Sequence, residues 1–345
     1  MRAGTLVGVF LETYLAPFAE ILAQDEVTDI FVNRPGECWI ETKGGAIERR
    51  TLPSLDEQAI MRLARQIAAL THQAINREHP LLSATLPDGS RIQIVAPPAT
   101  RGPPAFAIRK HAPSPLTLDD YVTDGSFANS ITGRAVSAPL SVLDEIDRLL
   151  DSGDHGAALR AAVRGRTNIL ISGGTSTGKT TFLNALLGEI PADERLIFIE
   201  DTPELRIPHD NAIGLIAARS ALGEAAVTAN DLVSASLRMR PDRILLGELR
   251  GNEAFAFLRA INTGHPGSMT TIHADSVDGA FEQLALLVLE SGTRLSRADV
   301  MHYAKVTIGV VVQLGRRDGI RSVLEVRTIR GEFGYARSTD DGRSA

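Results

Sequence analysis

Short apolar runs separated by turn residues open the chain. In the first stretch Leu6, Phe10, Phe18, Ile21 and Leu22 recur at helical spacing, and Pro17 interrupts the run. This predicts a packed amphipathic helix rather than a secretion signal. VTDIFVN, ECWIET and AIERRTL then read as three strands, with RPGE and KGG as turns. A helix is predicted over Leu55 to Thr71. LLSATLPDGSRIQIVAPP has the form strand, Pro-Asp-Gly turn, strand, and FAIRK closes the series. These elements predict a small α+β unit over residues 1–112.

Polar residues and prolines interrupt the pattern next, and 113–138 reads as linker and lead-in, centred on Pro113 and Pro115. From Pro139 to residue 332 strands alternate with helices, beginning with PLSVLDEIDRLLDSG and HGAALRAAVRG. RLIFIED, AIGLIAA, DRILLGE and GSMTTIH are the strands that follow, with helices near ANDLVSASLRM, NEAFAFLRAINTG, VDGAFEQLALLVLESG and SRADVMHYAK. Such alternation predicts a largely parallel sheet covered by helices, hence an α/β fold. VTIGVVVQLGRRDGIRSVLEVRTI reads as two strands around an Arg-Asp-Gly turn, and 333–345 as a frayed polar tail.

Composition narrows the picture. At 345 residues, two units are the prior. The formal net charge of −6 gives no general electrostatic reason to bind nucleic acid. The single cysteine, Cys38, excludes an intramolecular disulfide and a cysteine-cluster zinc site, and fits a reducing compartment. No apolar run reaches the roughly eighteen residues that span a bilayer.

The chemistry concentrates after the NILIS run. Gly173, Gly174, Thr175, Ser176, Thr177 and Gly178 lie between a strand and a helix, and Lys179, Thr180 and Thr181 open the helix. Glycines let amide groups turn inward, and a ring of such amides at a helix start holds an anion. Lys179 adds charge at the β- and γ-phosphates, and Thr180 brings a hydroxyl to magnesium. The pattern is G-x-x-x-x-G-K-[ST] in the setting its mechanism requires, and it predicts a nucleoside triphosphate site.

Cleavage also needs a metal, an oriented water and positive charge. Two apolar strands end in carboxylates, at Glu200 and at Glu248. Glu200 is the first choice for orienting water and Glu248 for the metal, directly or through water; the roles are interchangeable at this level. His273 ends the SMTTI strand, where the phosphates lie, and His265 sits in a Gly-His-Pro-Gly turn. Arg91, Arg109, Arg238 and Arg240 are the candidate cations. The first two act only if the N-terminal unit closes over the nucleotide.

The ordered set GGTSTGKTT, FIEDTPEL, LRMRPDRILLGELRG and GHPGSMTTIHA resembles the secretion traffic ATPases, the hexameric motors of type IV secretion, type II secretion and type IV pili. VTDIFVNRPGECWIE and LPDGSRIQIVAPP further resemble the VirB-type branch of type IV secretion and conjugation. The resemblance implies an N-terminal domain joined to a RecA-like P-loop domain, ATP and Mg2+ as cofactors, and a ring of six copies. It also implies a peripheral place at the cytoplasmic face of the inner membrane. Secretion-channel components and a coupling ATPase would be its partners, and protein or DNA its cargo. Arg91 and Arg109 match the family's N-terminal arginines that reach the phosphates. His273 matches the histidine box, Glu200 the acidic box and Glu248 the second acidic motif. Arg240 lies in the matching RMRPDRI. Having one cysteine, the chain lacks the four-cysteine zinc insert of many pilus and type II assembly motors. The alternatives are a retraction or type II motor, a nucleic-acid motor of RecA or helicase type, and a nucleotide-dependent scaffold without turnover.

Overall fold

Two sheets organise the residues described by the computed structural model, 11–111, 117–128, 141–218 and 224–330. The first contains β1 (Val27–Val32), β2 (Glu37–Thr42), β3 (Ile47–Thr51), β4 (Leu81–Thr85), β5 (Arg91–Val95) and β6 (Ala105–Arg109). Its order is β3-β2-β1-β6-β5-β4, antiparallel throughout. The Pro-Asp-Gly turn works as predicted: Gly89 takes φ +87°, and the Asp88 carboxylate accepts the Ser90 amide at 2.9 Å.

The period of two decides what this sheet packs on. Ile30, Val32, Ile92, Ile94, Phe106 and Ile108 share a core with Ile60, Leu63, Ala64 and Ile67 of the helix Glu57–Leu70. The alternate residues Phe31, Val95, Ala105 and Ala107 belong to the core of the second unit instead. Near the start of the chain, the 3-10 turn Ala16–Phe18 contains Pro17, and Phe18 packs edge-on against Phe106 at 5.7 Å between centroids. Leu6, Phe10, Pro113, Pro115 and the tail 333–345 lie outside the described residues.

The second sheet contains β7 (Ile169–Gly173), β8 (Leu196–Glu200), β9 (Ala212–Ile216), β10 (Arg243–Leu246), β11 (Met269–Ile272), β12 (Val310–Arg317) and β13 (Ile320–Thr328). Its order is β13-β12-β7-β11-β10-β8-β9, parallel except for the β12–β13 hairpin. Asp318 and Gly319 turn that hairpin with φ of +52° and +80°. Leu170, Ile197, Ile199, Ile244 and Leu246 share one core with Leu232, Phe257, Phe281 and Leu284 of the covering helices. Ile169, Ile171, Phe198 and Leu245 share the other with Ile146, Ala162, Leu183 and Leu187. The predicted α/β sandwich therefore stands, with the P-loop strand β7 inside the sheet and a small α+β unit before it.

The two units meet along a polar seam beside their shared core. Fully buried Arg195 donates to Met239 O at 3.0 Å and to Asn33 and Asn211 Oδ1 at 2.8 and 2.6 Å. Its guanidinium lies 4.1 Å from the Phe31 ring centroid, and burial pulls its pKa down to about 9. Arg240 bridges Glu41 of β2 and Asp242. Among the described residues no helix is long and apolar enough to cross a membrane.

Candidate active site

Parallel strands deliver their C-terminal ends to one edge, and the register aligns them here. Ser172 of β7 pairs with Ile272 of β11, Leu246 of β10 with Thr270 of β11, and Ile199 of β8 with Leu246. The residues just beyond, Gly173, His273, Glu248 and Glu200, thus reach the same edge. A cavity of about 490 Å3 lies there, lined by Thr175 to Thr181, Glu200, Asp201, Glu204, Glu248, Arg250, His273 and Arg321, among others.

The loop geometry explains its glycines. A Cβ on Gly173 would press on Thr177 Oγ1 and come within 2.9 Å of Leu314 O. Gly178 takes φ +95° at the cap of the helix Lys179–Leu187, and no side chain caps that helix. By contrast, Asp56, Ser141, Thr228, Ser276 and Ser296 each cap their helices. The first amides of the P-loop helix have no intrahelical partner and face the loop, which suits an anion. Arg321 of β13 borders Gly178, and Arg316 donates to Ser176 O at 3.2 Å.

Three predicted residues meet directly. Lys179 is 8% exposed. Its Nζ donates to Gly173 O at 2.9 Å and Gly174 O at 3.3 Å, and lies 3.6 Å from Glu248 Oε1. Burial holds its pKa below the usual lysine value. The same Glu248 oxygen is 2.8 Å from His273 Nε2, and Lys179 Nζ lies 3.4 and 3.3 Å from the two nitrogens of that ring. Glu248 Oε2 pairs with Arg250, which reaches on to Asp201 at 2.7 Å. The Thr271 hydroxyl donates to Gly247 O at 2.9 Å, tying the loop that carries Glu248 to β11.

Glu200 sits in the same cavity, but its oxygens are committed. Oε1 accepts the amides of Glu204 and Leu205, both at 2.8 Å, and Oε2 pairs with Arg101. Thr180 Oγ1 donates to Glu204 Oε2 at 3.2 Å. Glu204 stands inside the FIEDTPEL stretch, four residues past the carboxylate that drew notice, and only the curl of the loop brings it over Thr180.

Residues 12–314 match the family described as T2SSE, Type II/IV secretion system protein. The type IV secretion system protein VirB11 of Bartonella henselae is 39% identical over 328 residues, 91% of each chain. VirB11 of Brucella suis is 40% identical over 323 residues, 91% of this chain and 88% of its own. The chain belongs to the type II/IV secretion system protein family. The crystal structure of the VirB11 ATPase from the Brucella suis type IV secretion system, in complex with sulphate, superposes on it with a TM-score of 0.85 at 38% identity, covering 92% of this chain and 97% of that one.

Membership in the secretion family makes the placement of the arginines informative. Arg91 and Arg109 do not line the cavity of Lys179 and Glu248 in their own chain. They face each other across β5 and β6 and line a separate cavity of about 630 Å3 with Thr71, Gln73, Leu237 and Arg238. Arg109 Nε donates to Asp29 Oδ1 at 3.0 Å. Arg240 belongs to the seam. His265 Nδ1 lies 2.9 Å from Pro241 O, away from the phosphate cavity, and burial lowers its pKa. Arg101, Glu204, Arg250 and Arg321 were missed by sequence reasoning. Glu204, Arg250 and Arg321 lay within stretches already quoted, Arg321 only as part of a hairpin; Arg101 lay outside every quoted stretch.

Proposed function

We propose that this chain is a magnesium-dependent ATPase that powers a type IV secretion channel, as a ring of identical subunits at the cytoplasmic face of the inner membrane. The observation that carries the reading is the meeting of Lys179, Glu248 and His273 within 3.6 Å, beside a helix start with no side-chain cap. Family membership supplies the biological setting; its partners would be membrane-channel components and a coupling ATPase, with protein or DNA as cargo.

The roles follow from which oxygens and protons remain available. The loop amides and Lys179 neutralise the β- and γ-phosphates, which offer the ammonium charged acceptors in place of two carbonyls. Glu248, held by His273 and Arg250, orients the attacking water for in-line displacement at the γ-phosphorus. Glu200 shapes the loop beside it, so this proposal reverses the division of labour first drawn between the two carboxylates. Thr180 Oγ1 and Glu204 are hard oxygen donors meeting at 3.2 Å, which fits magnesium, with Glu248 joining through water. Among the described residues no group of three or more His, Cys, Asp or Glu forms a metal cage. When bound, magnesium would supply positive charge that offsets the charge of the triphosphate.

Phosphate release from ATP by the purified chain, with Lys179→Ala as the comparison, tests this. We expect turnover to fall by about 10³-fold while nucleotide-free folding is retained. Wild-type turnover by the variant, or no calorimetric uptake of adenine nucleotide by the native protein, would overturn the assignment.

A further inference from the structure

Arg101 stands in the loop between β5 and β6, in the N-terminal unit, yet its side chain ends in the acidic box of the second unit. The loop is stitched to the edge strand β9. The Arg101 amide donates to Gly214 O and the Ile216 amide to Ala99 O, each at 2.9 Å, and Thr100 bridges to Leu215. Arg101 Nη1 donates to Leu205 O at 2.8 Å, and the guanidinium pairs with Glu200 Oε2. Only 18% of the Arg101 side chain and 3% of Glu200 are exposed. Gly214 makes the slot: a Cβ there would run into Arg101 Cδ and Nε.

Glu200 transmits this hold. Its other oxygen gathers the amides of Glu204 and Leu205, which bends 201–205 so that Glu204 reaches the Thr180 hydroxyl. A carboxylate this deeply buried must be compensated, and two amides and one guanidinium do so. Arg101 also takes the Leu205 carbonyl, so its planar fork fixes both the carboxylate and the loop it shapes. A single ammonium cannot reproduce that two-point contact.

We infer that Arg101 is a positioning residue for ATP hydrolysis, supplied by the N-terminal unit: it holds Glu200, and through it the 201–205 loop and Glu204, in register with Thr180. The inference rests on the proposed ATPase reading and extends it. Docking of the N-terminal unit then sets the shape of the nucleotide site in the same chain, by a contact separate from Arg91 and Arg109.

The test uses the full chain and measures phosphate release across ATP concentrations, with circular-dichroism melting to confirm folding at the assay temperature. Arg101→Ala should lower kcat by at least about tenfold while KM for ATP stays within about threefold, because loop register and not ground-state binding is lost. Arg101→Lys should fall between the two. Gly214→Ala should follow Arg101→Ala although every charge is intact. In a Glu200→Gln background, removing Arg101 should cost less than about threefold further, since the partner through which it acts is already changed. A kcat for Arg101→Ala within twofold of wild type would overturn the inference, as would an equal loss in the Glu200→Gln background. If Arg101→Ala does not fold, Arg101→Lys and Gly214→Ala decide on the same criteria. Lys179→Ala separates the two readings: if it is active, the ATPase site itself is wrong, and if it is inactive while Arg101→Ala is unaffected, only the role of Arg101 falls.

Discussion

At the edge of the parallel sheet, Lys179, Glu248 and His273 come together because strand ends align; in the cavity lined by Arg91 and Arg109, charge collects because an antiparallel register sets two arginines opposite each other. The first gathering is neutralised within itself: Glu248 and Asp201 offset Lys179 and Arg250, and His273 sits against Glu248. The second is lopsided, with Arg91, Arg109 and Arg238 lining the cavity and Asp29 engaging only Arg109. One region is the site proposed for chemistry in its own chain. The other presents cation, which suits an anion. In the proposed ring, whose interfaces would be heterologous, the two faces of a subunit would differ, so such a division would be geometrically natural.

The sharpest way to break this contrast is at Glu248. Glu248→Gln removes the negative charge that Lys179 and His273 share while keeping the side chain's shape. We expect kcat to fall by about 10²–10³-fold, with ATP affinity retained. Phosphate release and calorimetry read the two separately. Loss of affinity with unchanged kcat would move Glu248 from the reaction to binding.

Next in size is the seam that holds both regions in place. Arg240→Ala strips Glu41 of the guanidinium that offsets its burial, and burial already raises the Glu41 pKa. Breaking a fully buried pair costs roughly 3–5 kcal/mol. Arg240 keeps partial exposure, so about 2 kcal/mol is expected, measured by urea unfolding. Removing both partners, Arg240→Ala with Glu41→Gln, should recover part of it, because no uncompensated charge remains. A double-variant loss equal to the sum of the two single losses would mean the pair does not couple.

Smaller again is Arg109→Ala. The arginine does not line the cavity that holds Lys179 and Glu248, so a monomer-only mechanism predicts no change. If the cavity serves an adjacent subunit, kcat should fall by about tenfold in the assembled form. Phosphate release at protein concentrations above and below assembly distinguishes the cases, and an unchanged rate in both removes the arginine cavity from turnover.

Much of the first region was legible because its information is local. Gly173 to Thr181 form one contiguous motif, and Glu248 and His273 each follow an apolar run whose end can be read directly. The parallel order then did the assembling, a regularity of α/β sheets. Alternation likewise marked the strands of the first sheet. It could not say that Phe31 and Ala107 would face a second unit while Ile30 and Ile108 faced their own helix, since both sets are apolar. Arg101 was illegible for a related reason: its partners Gly214, Leu205 and Glu200 are about a hundred residues away, and only the docking of β9 against the β5–β6 loop brings them near. The positions of Arg91 and Arg109 on strands were readable, but not which cavity those strands would border.

The smallest expected effect compares the two histidines of GHPGSMTTIH. His273 is 49% exposed and paired with Glu248 in the site, whereas His265 is half-buried beside the seam with Nδ1 2.9 Å from Pro241 O. Burial lowers the His265 pKa below 6.5; Asp242 opposes this, and Arg240 and Arg166 reinforce it. Between the lowered folded value and 6.5 the unfolded chain therefore binds more protons than the folded one. Stability from this group is complete above pH 6.5 and is lost as pH falls through that window, with a slope of at most about 1.4 kcal/mol per pH unit. His265→Asn keeps an N–H for Pro241 O but cannot titrate, so its urea-unfolding free energy should decline less between pH 7 and 5 than that of the wild type. Parallel profiles would assign the acid sensitivity to other groups. A flatter profile with unchanged ATP turnover at pH 7 would place His265 with the architecture of the seam and leave His273 as the histidine of the site.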